Sequence, residues 1–468
     1  MRLPHDHLEV GVEIRGKTVI AGRLSASFSG GRVLGSTRFD YDRGYFGEPG
    51  AYPLDPKLPL GAGSFHSGED ARIFGAFQDL MPDDWGRRLI DADLAGGRIA
   101  LPAGPAGVSS GAAPGSIGEF DYLALASDET RLGAIRVRRG AGTPWLGESP
   151  PAAHEDGDVA AIAGAASRFE RHEATDADLD LLGAPGTSMG GARPKVTAWI
   201  DGALRIIKLP SERDRGIDAE AWEYVAILLA QRAGIAVQRG RLLRAEEGKS
   251  SLILDRFDRG VHGERIGYMS ARTAMELGDQ DHGTVTYEDL ADAVDSVTLA
   301  DRLQLRDLFK RVALSVLINN VDDHWKNHGF LRGSDSWSLS PAFDINPSRS
   351  RGVVYSRPIS RADDPRSRDL RQLVATADAY ALTRTDAATA LGEVLGAVRA
   401  WPEVAKSAGI AAAEIAHMSA AFSEEQQGLV EREIRSAGLE PAILDLSPAG
   451  ARGGPPARAE LATRPPRG

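Results

Sequence analysis

A polar segment that directly follows an apolar run constrains the fold of this chain more than any other feature. The run contains five apolar residues, Val312, Leu314, Val316, Leu317 and Ile318. A run of this kind anchors one end of the segment in a core. The segment, residues 319–328, has six polar residues in its last seven, and Asp322 and Asp323 are adjacent carboxylates. So many polar groups beside a core require partners, and the two carboxylates favour a nearby cation.

Asp322 and Asn327 lie five residues apart, and Asp344 follows seventeen residues later, directly after Phe343. An aspartate, an asparagine five residues on and a downstream aspartate are typical of phosphoryl-transfer sites. In such sites one carboxylate orients the attacking hydroxyl, while the amide and the other carboxylate hold Mg²⁺ on the phosphates. If this interpretation holds, a glycine loop, a phosphate-pairing lysine and a helix glutamate should all lie upstream.

Two other interpretations of residues 322–328 stay open. The segment could be an ordinary polar loop after a helix C-terminus. His324 and His328, four residues apart, could instead bind a metal ion. A zinc-protease helix would need glutamate directly after the first histidine, however, and Trp325 stands there. The absence of an obvious third ligand also weighs against a zinc site.

The upstream glycine loop is found at residues 186–191 and contains Ser188, Gly190 and Gly191. Glycine allows backbone N–H groups to approach phosphate oxygens because it has no Cβ. The segment is not a Walker A motif, since Ala192 and Arg193 stand where lysine and serine or threonine are required. Taken alone, a glycine turn before a hairpin is more often only a turn.

Lys208 ends an alternating strand, and Glu223 follows fifteen residues later in a predicted helix. Lys–Glu pairs of this kind hold the lysine on the nucleotide phosphates in protein kinases. Glu220 is an alternative partner for the same lysine. On local sequence alone, a lysine at a strand end whose charged group reaches solvent is the better explanation of Lys208.

Asp255, Arg256, Phe257 and Asp258 follow a buried strand predicted at 252–254. In a two-lobed nucleotide binder the chain crosses between the lobes at such a point. Backbone groups here could then bind adenine while Phe257 packs against its ring. The alternative is a salt-bridged exit from the strand, and the local sequence does not separate the two.

Composition excludes several classes of function. The 468-residue chain is 42% hydrophobic and 26% charged, which is typical of a soluble protein of two or three domains. Its formal net charge of -11 argues against a surface built to bind nucleic acid. It has no cysteine, so disulfides and cysteine-ligated metals are excluded. Because a secretory signal and an apolar run long enough to span a bilayer are both missing from the sequence, we expect a cytoplasmic protein without membrane contact.

The predicted elements change in character along the chain. Short strands are predicted in 10–48, and helix in 74–94 with an interruption at Pro82. Loops are predicted at 102–118 and 150–157, with regular structure between them. Further on, two strands flank the turn Asp201-Gly202, and a helix runs from Asp218 to Gly234. The remaining helical patterns cover 287–295, 301–318, 383–399 and 409–437.

These elements predict an α+β, two-lobed protein-kinase-like fold with a β-rich N-terminal domain and a mostly helical C-terminal lobe. The predicted units are an N-terminal domain at 1–145, a kinase N-lobe with the glycine-rich loop at 146–258, a helical kinase C-lobe at 259–446, and a disordered Pro/Gly/Arg-rich tail at 447–468.

The chain resembles the HipA family, the kinase toxins of bacterial type II toxin–antitoxin systems. The resemblance rests on five motifs of the kinase core and on two N-terminal motifs. The motifs are residues 188–195 (SMGGARPK), 207–210 (IKLP), 254–259 (LDRFDR), 320–327 (NVDDHWKN), 341–344 (PAFD), 39–41 (FDY) and 80–86 (LMPDDWG). It covers about residues 10–440.

The resemblance implies a role for each matching residue. Asp322 would be the catalytic base, and His324 would steady the loop or the transferring phosphoryl group. Asn327 and Asp344 would be Mg²⁺ ligands. Lys208, with Glu223, would bind the ATP phosphates together with Ser188, Gly190 and Gly191 of the loop, while Asp255 and Phe257 would contact adenine. Ser188 matches a serine that the family phosphorylates on itself to switch activity off, although Thr187 could substitute.

The resemblance also implies partners. These are a small helix-turn-helix antitoxin (HipB-like), operator DNA reached only through that antitoxin, and a protein substrate, possibly an aminoacyl-tRNA synthetase. The predicted function is therefore an ATP- and Mg²⁺-dependent serine/threonine protein kinase that acts as a toxin. Two alternatives remain: a small-molecule or lipid kinase on the same core, and a catalytically silent nucleotide-binding component of a repressor complex.

Overall fold

The computed structural model describes most of the chain between residues 5 and 439. The described ranges are 5–29, 33–68, 71–100, 117–147, 153–183, 191–214, 216–244, 248–278, 285–350, 357–364, 366 and 368–439. The predicted loop at 102–118 lies almost wholly outside these ranges, and the predicted tail at 447–468 lies wholly outside them. Of the helices in the described ranges, none has both the length and the apolar character needed to cross a membrane.

The first sheet is antiparallel and has the strand order β4-β3-β2-β1-β5. Its strands are β1 (His5–Ile14), β2 (Lys17–Phe28), β3 (Leu34–Tyr41), β4 (Ser64–His66) and β5 (Ile135–Arg138). Alternate side chains of β1, such as Leu8, Val10 and Val12, are fully buried. The strands are longer than the short strands that the glycines of this region predicted, because this alternation continues almost without interruption through β1 and β2.

Three helices accompany this sheet: α1 (Gly75–Gln78), α2 (Asp84–Ala95) and α3 (Glu119–Leu125). The predicted interruption at Pro82 is confirmed, because α2 begins two residues after it. The side chain of Asp83 accepts a hydrogen bond from the Gly86 N–H and so caps α2. This cap fixes the carboxylate of Asp83 at the start of the helix.

The second sheet has the order β6-β7-β8-β10-β9. Its strands are β6 (Ala153–His154), β7 (Lys195–Ile200), β8 (Ala203–Lys208), β9 (Gly240–Arg244) and β10 (Ser250–Asp255), and the helices beside it are α4 (Val159–Glu170), α5 (Asp176–Leu182) and α6 (Ala219–Arg232). The predicted hairpin is confirmed, and both of its turn residues, Asp201 and Gly202, have positive φ. The helix capped by Asp218 is confirmed as α6.

The remainder is mostly helical. It contains β11 (Tyr268–Ser270), β12 (Gly329–Arg332) and β13 (Trp337–Leu339), with α7 (Ala271–Ala274), α8 (Tyr287–Val297), α9 (Arg302–Leu317), α10 (Leu370–Ala375), α11 (Arg384–Arg399), α12 (Trp401–Ser407), α13 (Ala412–Met418) and α14 (Glu424–Ser436). The pattern at 409–437 forms two helices because Ser423 caps a new one and Phe422 stacks on Trp401. The predicted α+β, two-lobed arrangement is confirmed, while the unit boundaries stay a prediction.

Candidate active site

Lys208, at the end of β8, is buried among carboxylates. Its Nζ atom lies 2.6 and 2.7 Å from the two oxygens of Glu223, which extends from α6, and 2.7 Å from Oδ1 of Asp344. Burial alone would lower the pKa of this ammonium group, but the charges of Asp344 and Glu223 outweigh burial and raise the pKa. Lys208 therefore carries its positive charge in the interior of the site.

Glu220, the alternative partner for Lys208, lies elsewhere. Its Oε1 accepts a hydrogen bond of 2.9 Å from Arg193, which also donates to Asp214. Burial raises the pKa of Glu220 to about 7, against the opposing charge of Arg193. The structure thus brings Glu223, and not Glu220, to Lys208.

Asp344 follows the buried Phe343 and adopts a left-handed backbone conformation, with φ at 55°. This conformation is uncommon for residues other than glycine, although aspartate and asparagine adopt it more readily than most, and it recurs at functional sites where packing enforces it. The packing here is the ring of Phe343 against Phe257, with centroids 5.3 Å apart. Burial opposes ionisation of Asp344, but the charge and hydrogen bond of Lys208 outweigh burial and lower the pKa of its carboxyl group.

Asp322 and His324 form the outer side of the loop that follows α9. The side chain of Asp322 is 62% exposed, and its Oδ1 lies 3.9 Å from Nε2 of His324. Partial desolvation and the negative charges of Asp344 and Asp323 raise the pKa of Asp322, although His324 and Arg357 oppose this change. Asp322 therefore lies close enough to Asp344 for the two negative charges to repel each other.

Asp323 forms the inner side of the same loop and is buried. Its carboxylate accepts hydrogen bonds from Ser315 and Tyr287, one of 2.9 Å from His328, and one of 3.5 Å from Arg368. Burial would raise its pKa, but the positive charge and hydrogen bonds around it hold the pKa well below the ordinary carboxyl range. His328 thus pairs with Asp323, whereas His324 lies near Asp322. In the described part of the chain, no group of three or more histidine or acidic side chains is placed so that it could hold a metal ion.

Asn327 is buried, and its Nδ2 donates a 2.9 Å hydrogen bond to the backbone oxygen of Asp322. Its Oδ1 is also buried and has no hydrogen-bond partner among the described residues. An unpaired buried amide oxygen is costly unless a ligand satisfies it. Together with the Asp344 carboxylate, it offers the hard oxygen donors that Mg²⁺ prefers, so the residues present fit a magnesium ion.

Asp255 and Phe257 lie at the end of β10. The carboxylate of Asp255 pairs with Arg205 on the neighbouring strand. The backbone N–H of Asp255 donates a hydrogen bond to the carbonyl of Arg239, and its backbone carbonyl accepts one of 2.7 Å from the side chain of Gln238. The Phe257 ring lies between Phe343 and Tyr268. The side chain of Asp255 therefore forms the salt bridge of the predicted strand exit. Phe257 packs directly against Phe343, the residue before Asp344.

Known proteins share this architecture. The family model described as the HipA-like C-terminal domain matches residues 187–401, and the HipA N-terminal domain matches residues 13–99. The chain belongs to the HipA family. Among curated proteins, no sequence matches significantly. The HipA chain of the toxin–antitoxin complex of Shewanella oneidensis MR-1, solved with HipB and operator DNA, has a TM-score of 0.59 and 19% identity over 92% of this chain and 99% of that one.

A second solved structure is more distant. The proinflammatory kinase CtkA of Helicobacter pylori has a TM-score of 0.37 and 14% identity, over 52% of this chain and 94% of that chain. That TM-score is too low to describe the fold of this chain. The Shewanella HipA protein, by contrast, matches the fold of this HipA-family chain along almost its whole length.

Two of the predicted loop residues, Ser188 and Gly190, lie outside the described ranges, as does Thr187. Gly191 lies inside them, with φ at 95°, and its carbonyl accepts a 3.2 Å hydrogen bond from Lys195. Sequence reasoning on this HipA-family chain gave Lys195 no role of its own. The two-residue hairpin turn could have shown it, because that turn fixes the register in which Lys195 pairs with Lys208.

Asp258 also belongs to the salt-bridged strand exit, and sequence reasoning missed only its contacts with the N-terminal region. Its buried carboxylate accepts two hydrogen bonds of 2.6 Å from Arg256, one of 2.6 Å from Arg259 and one of 2.8 Å from the Gly133 N–H. Arg256 in turn donates to the carbonyls of Thr130 and Arg131. This network joins the strand exit after β10 to the segment that precedes β5 in the N-terminal region.

Proposed function

We propose that this chain is an ATP- and Mg²⁺-dependent serine/threonine protein kinase that acts as the toxin of a type II toxin–antitoxin system. One observation carries the proposal: Lys208 is held by the helix residue Glu223 and lies 2.7 Å from Asp344. A buried lysine held by a helix glutamate, beside the aspartate that binds metal, is the arrangement with which protein kinases hold ATP. Membership of the HipA family supports the same conclusion.

Lys208 binds the ATP phosphates in this proposal. Its ammonium group keeps its charge because Glu223 and Asp344 raise its pKa. When phosphate oxygens arrive, Lys208 exchanges part of its contact with Asp344 for contact with the phosphates. Glu223 keeps the ammonium group in place, since both of its oxygens lie within hydrogen-bond distance of Nζ.

Asp322 accepts the proton of the substrate hydroxyl. The hydroxyl oxygen bonds to the γ-phosphorus, the bond from that phosphorus to the bridging oxygen of ADP breaks, and the proton passes to the Asp322 carboxylate. Its exposed position leaves room for a protein substrate, and its raised pKa makes it a better proton acceptor than an ordinary carboxylate. His324, 3.9 Å away, steadies the carboxylate or the transferring phosphoryl group.

Asn327 and Asp344 are the residues that would hold Mg²⁺. Bound there, the ion would neutralise charge on the phosphates. The unpaired amide oxygen of Asn327 supports this assignment, because it has no other described partner. Phe257, packed against Phe343, gives an apolar surface for adenine at the lobe crossing beside Asp255.

Membership of the HipA family supports three further assignments, which are the autophosphorylated residue, the antitoxin partner and the substrate. We assign autophosphorylation to Ser188, with Thr187 as its alternative, because phosphate added to the glycine-rich loop competes with the ATP phosphates for the same site. The Shewanella HipA structure contains HipB and operator DNA. By analogy we assign this chain a small HipB-like helix-turn-helix antitoxin and contact with DNA only through that antitoxin. From the family resemblance alone we assign it a cytoplasmic protein substrate, for which an aminoacyl-tRNA synthetase is a candidate.

The activity test uses the purified chain with ATP labelled on the γ-phosphate, with and without Mg²⁺. We expect label on the protein itself, lost when Mg²⁺ is chelated, and reduced by about 100-fold or more in Asp322→Asn. Asp335→Asn is the matched control, because Asp335 is an exposed aspartate in the turn between β12 and β13. Full transfer by Asp322→Asn would contradict the proposed kinase. So would a second reaction, supplemented with bacterial cell extract, in which label is found on a metabolite and on no protein.

The toxin assignment has a separate test. Induced expression of the wild-type chain in a bacterial host should arrest growth, whereas Asp322→Asn should not. Where a helix-turn-helix reading frame neighbours the gene for this chain, its co-expression should restore growth. Arrest that is equally strong with Asp322→Asn would show that growth inhibition does not depend on phosphoryl transfer.

A further inference from the structure

Two adjacent residues of α6 make contacts on different sides of the helix. Glu223 holds Lys208 through hydrogen bonds of 2.6 and 2.7 Å. Trp222, directly before it, is buried and points to another side, because successive residues of an α-helix are about 100° apart around its axis. A contact that fixes the orientation of Trp222 therefore also fixes the rotation of α6 and, with it, the position of Glu223.

A carboxylate from the C-terminal helices makes such a contact. Oε1 of Glu414, in α13, accepts a hydrogen bond of 2.9 Å from Nε1 of Trp222. The same oxygen accepts one of 2.7 Å from the backbone N–H of Asp218, which caps α6 and is 196 residues away in the sequence. A helix N-terminus carries partial positive charge, so a carboxylate is favourable there. Glu414 thus restrains both the start of α6 and the residue directly before Glu223.

The ring of Trp222 also packs against two other aromatic rings. The ring centroids of Trp401 and Phe422 each lie 6.1 Å from that of Trp222, and these two rings are stacked on each other. Apolar packing has no preferred direction, whereas a hydrogen bond depends on its angle. The rings therefore hold α6 against the C-terminal helices, while Glu414 selects the orientation of α6.

The helix that carries Glu414 lies at the surface and contacts a second part of the site. Of the seven residues of α13, only Met418 is fully buried. From the same helix, Nε2 of His417 accepts a hydrogen bond from Arg349, which lies five residues after Asp344 in the chain. A surface helix with so little buried area can detach locally at low cost in free energy. α13 is therefore placed to influence both α6 and the segment that follows Asp344.

We propose that Glu414 is a positioning residue that holds α6 in the orientation in which Glu223 reaches Lys208, so that the ATP-phosphate site is complete only while α13 is docked on α6. The inference rests on the proposed function, since it concerns how the site for ATP is assembled. Glu414 acts only through α6. When α13 detaches, α6 is free to turn, and Lys208 keeps Asp344 as its partner but loses Glu223.

The first test compares ATP binding at equilibrium in Glu414→Ala and Glu414→Gln. Alanine removes the acceptor of both hydrogen bonds, whereas glutamine keeps an oxygen that can accept them. We expect Glu414→Ala to weaken ATP binding by about five- to tenfold and Glu414→Gln to stay within about twofold of the wild-type chain. Glu403→Ala is the matched control, because Glu403 is an exposed glutamate of the neighbouring helix α12, and it should bind ATP as the wild-type chain does. Wild-type binding by Glu414→Ala would overturn the proposal.

A double-mutant cycle separates positioning from general damage to the fold. In a Glu223→Gln background, Glu414→Ala should have little further effect on ATP binding, because the charged group through which it acts is gone. An equal loss of binding in both backgrounds would show that Glu414 does not act through Glu223, and it would overturn the proposal.

A further measurement needs no nucleotide. Hydrogen exchange at the backbone amides of residues 221–226 should be about tenfold faster in Glu414→Ala and unchanged in Glu403→Ala, because α6 opens locally when both hydrogen bonds are lost. Unchanged exchange in α6 would contradict the positioning role. If the wild-type chain does not bind ATP, the proposed kinase fails, while hydrogen exchange still decides whether Glu414 positions α6.

Discussion

Asp322 and Asp323 are neighbours in the chain but lie in opposite surroundings. The Asp323 side chain is 4% exposed and receives four hydrogen bonds, including those of His328 and Arg368. The Asp322 side chain is 62% exposed and has His324 at 3.9 Å. Successive side chains of an extended segment point to opposite sides. Two neighbouring residues of one loop can therefore place one carboxylate in the core and the other in solvent.

The difference indicates that Asp323 is structural, and it supports the catalytic role proposed for Asp322. The charge of Asp323 is compensated by hydrogen bonds and nearby cations, and its pKa is lowered as a result. The pKa of Asp322 is raised by desolvation and by the like charges of Asp344 and Asp323. A carboxylate held in unfavourable surroundings is typical of a functional site, whereas a compensated one stabilises the fold.

The largest expected effect is on stability. Asp323→Ala should lower the free energy of unfolding by about 3–5 kcal/mol, because it leaves Arg368 buried without its carboxylate. Asp322→Ala, the matched control, should change it by about 0.5 kcal/mol or less. Urea unfolding followed by circular dichroism would measure both. Equal losses in the two variants would break the distinction between the two sides of the loop.

Removal of a single hydrogen-bond donor to Asp323 should have a smaller effect on the free energy of unfolding. Tyr287→Phe keeps the ring that packs against Trp325 but removes the hydroxyl that donates to Asp323. The free energy of unfolding should fall by about 1.5–3 kcal/mol, the usual range for a hydrogen bond to a charged group. Tyr224→Phe offers a control at a partly buried tyrosine away from this loop. A loss no greater than in that control would show that the Asp323 charge does not depend on the hydroxyl.

The pH dependence gives a third comparison. The folded-state pKa of Asp323 is lowered, so its stabilising contribution is complete above the unfolded carboxyl pKa of about 4 and is lost as the pH falls below it. The stability difference between the wild-type chain and Asp323→Asn should therefore narrow from pH 7 to pH 3.5. Unfolding measured across this range tests the sign, and a difference that widens in acid would contradict it.

Local sequence was enough to predict the elements that hold the site. The turn Asp201-Gly202 predicted the hairpin, and Asp218 predicted the start of α6, because each depends only on residues a few positions away. The choice between Glu220 and Glu223 could not be made in this way. Residues three apart on a helix lie on nearly the same face, so only packing separates them.

Contacts between distant segments could not be predicted from the sequence. The pairs Asp83–Lys195 and Tyr287–Asp323 join different elements across 112 and 36 residues, and no periodicity connects them. Their geometry is set by how helices pack on sheets. The division of the pattern at 409–437 has the same cause, since the stacking of Phe422 on Trp401 is a long-range contact in space.

The smallest expected effect on stability is that of replacing His324, for which His328 is the comparison. His324→Gln should change the free energy of unfolding by about 0.5 kcal/mol or less, because its contact with Asp322 is long and exposed to solvent. It should still slow phosphoryl transfer by about tenfold, an increase of about 1.4 kcal/mol in the barrier. His328→Gln should lower the free energy of unfolding and change the rate of phosphoryl transfer less, since His328 is buried and lies 2.9 Å from Asp323. Thermal unfolding and labelled-ATP transfer, measured on both variants, separate the outcomes, and a loss of stability in His324→Gln would place that histidine with the structural side of the loop.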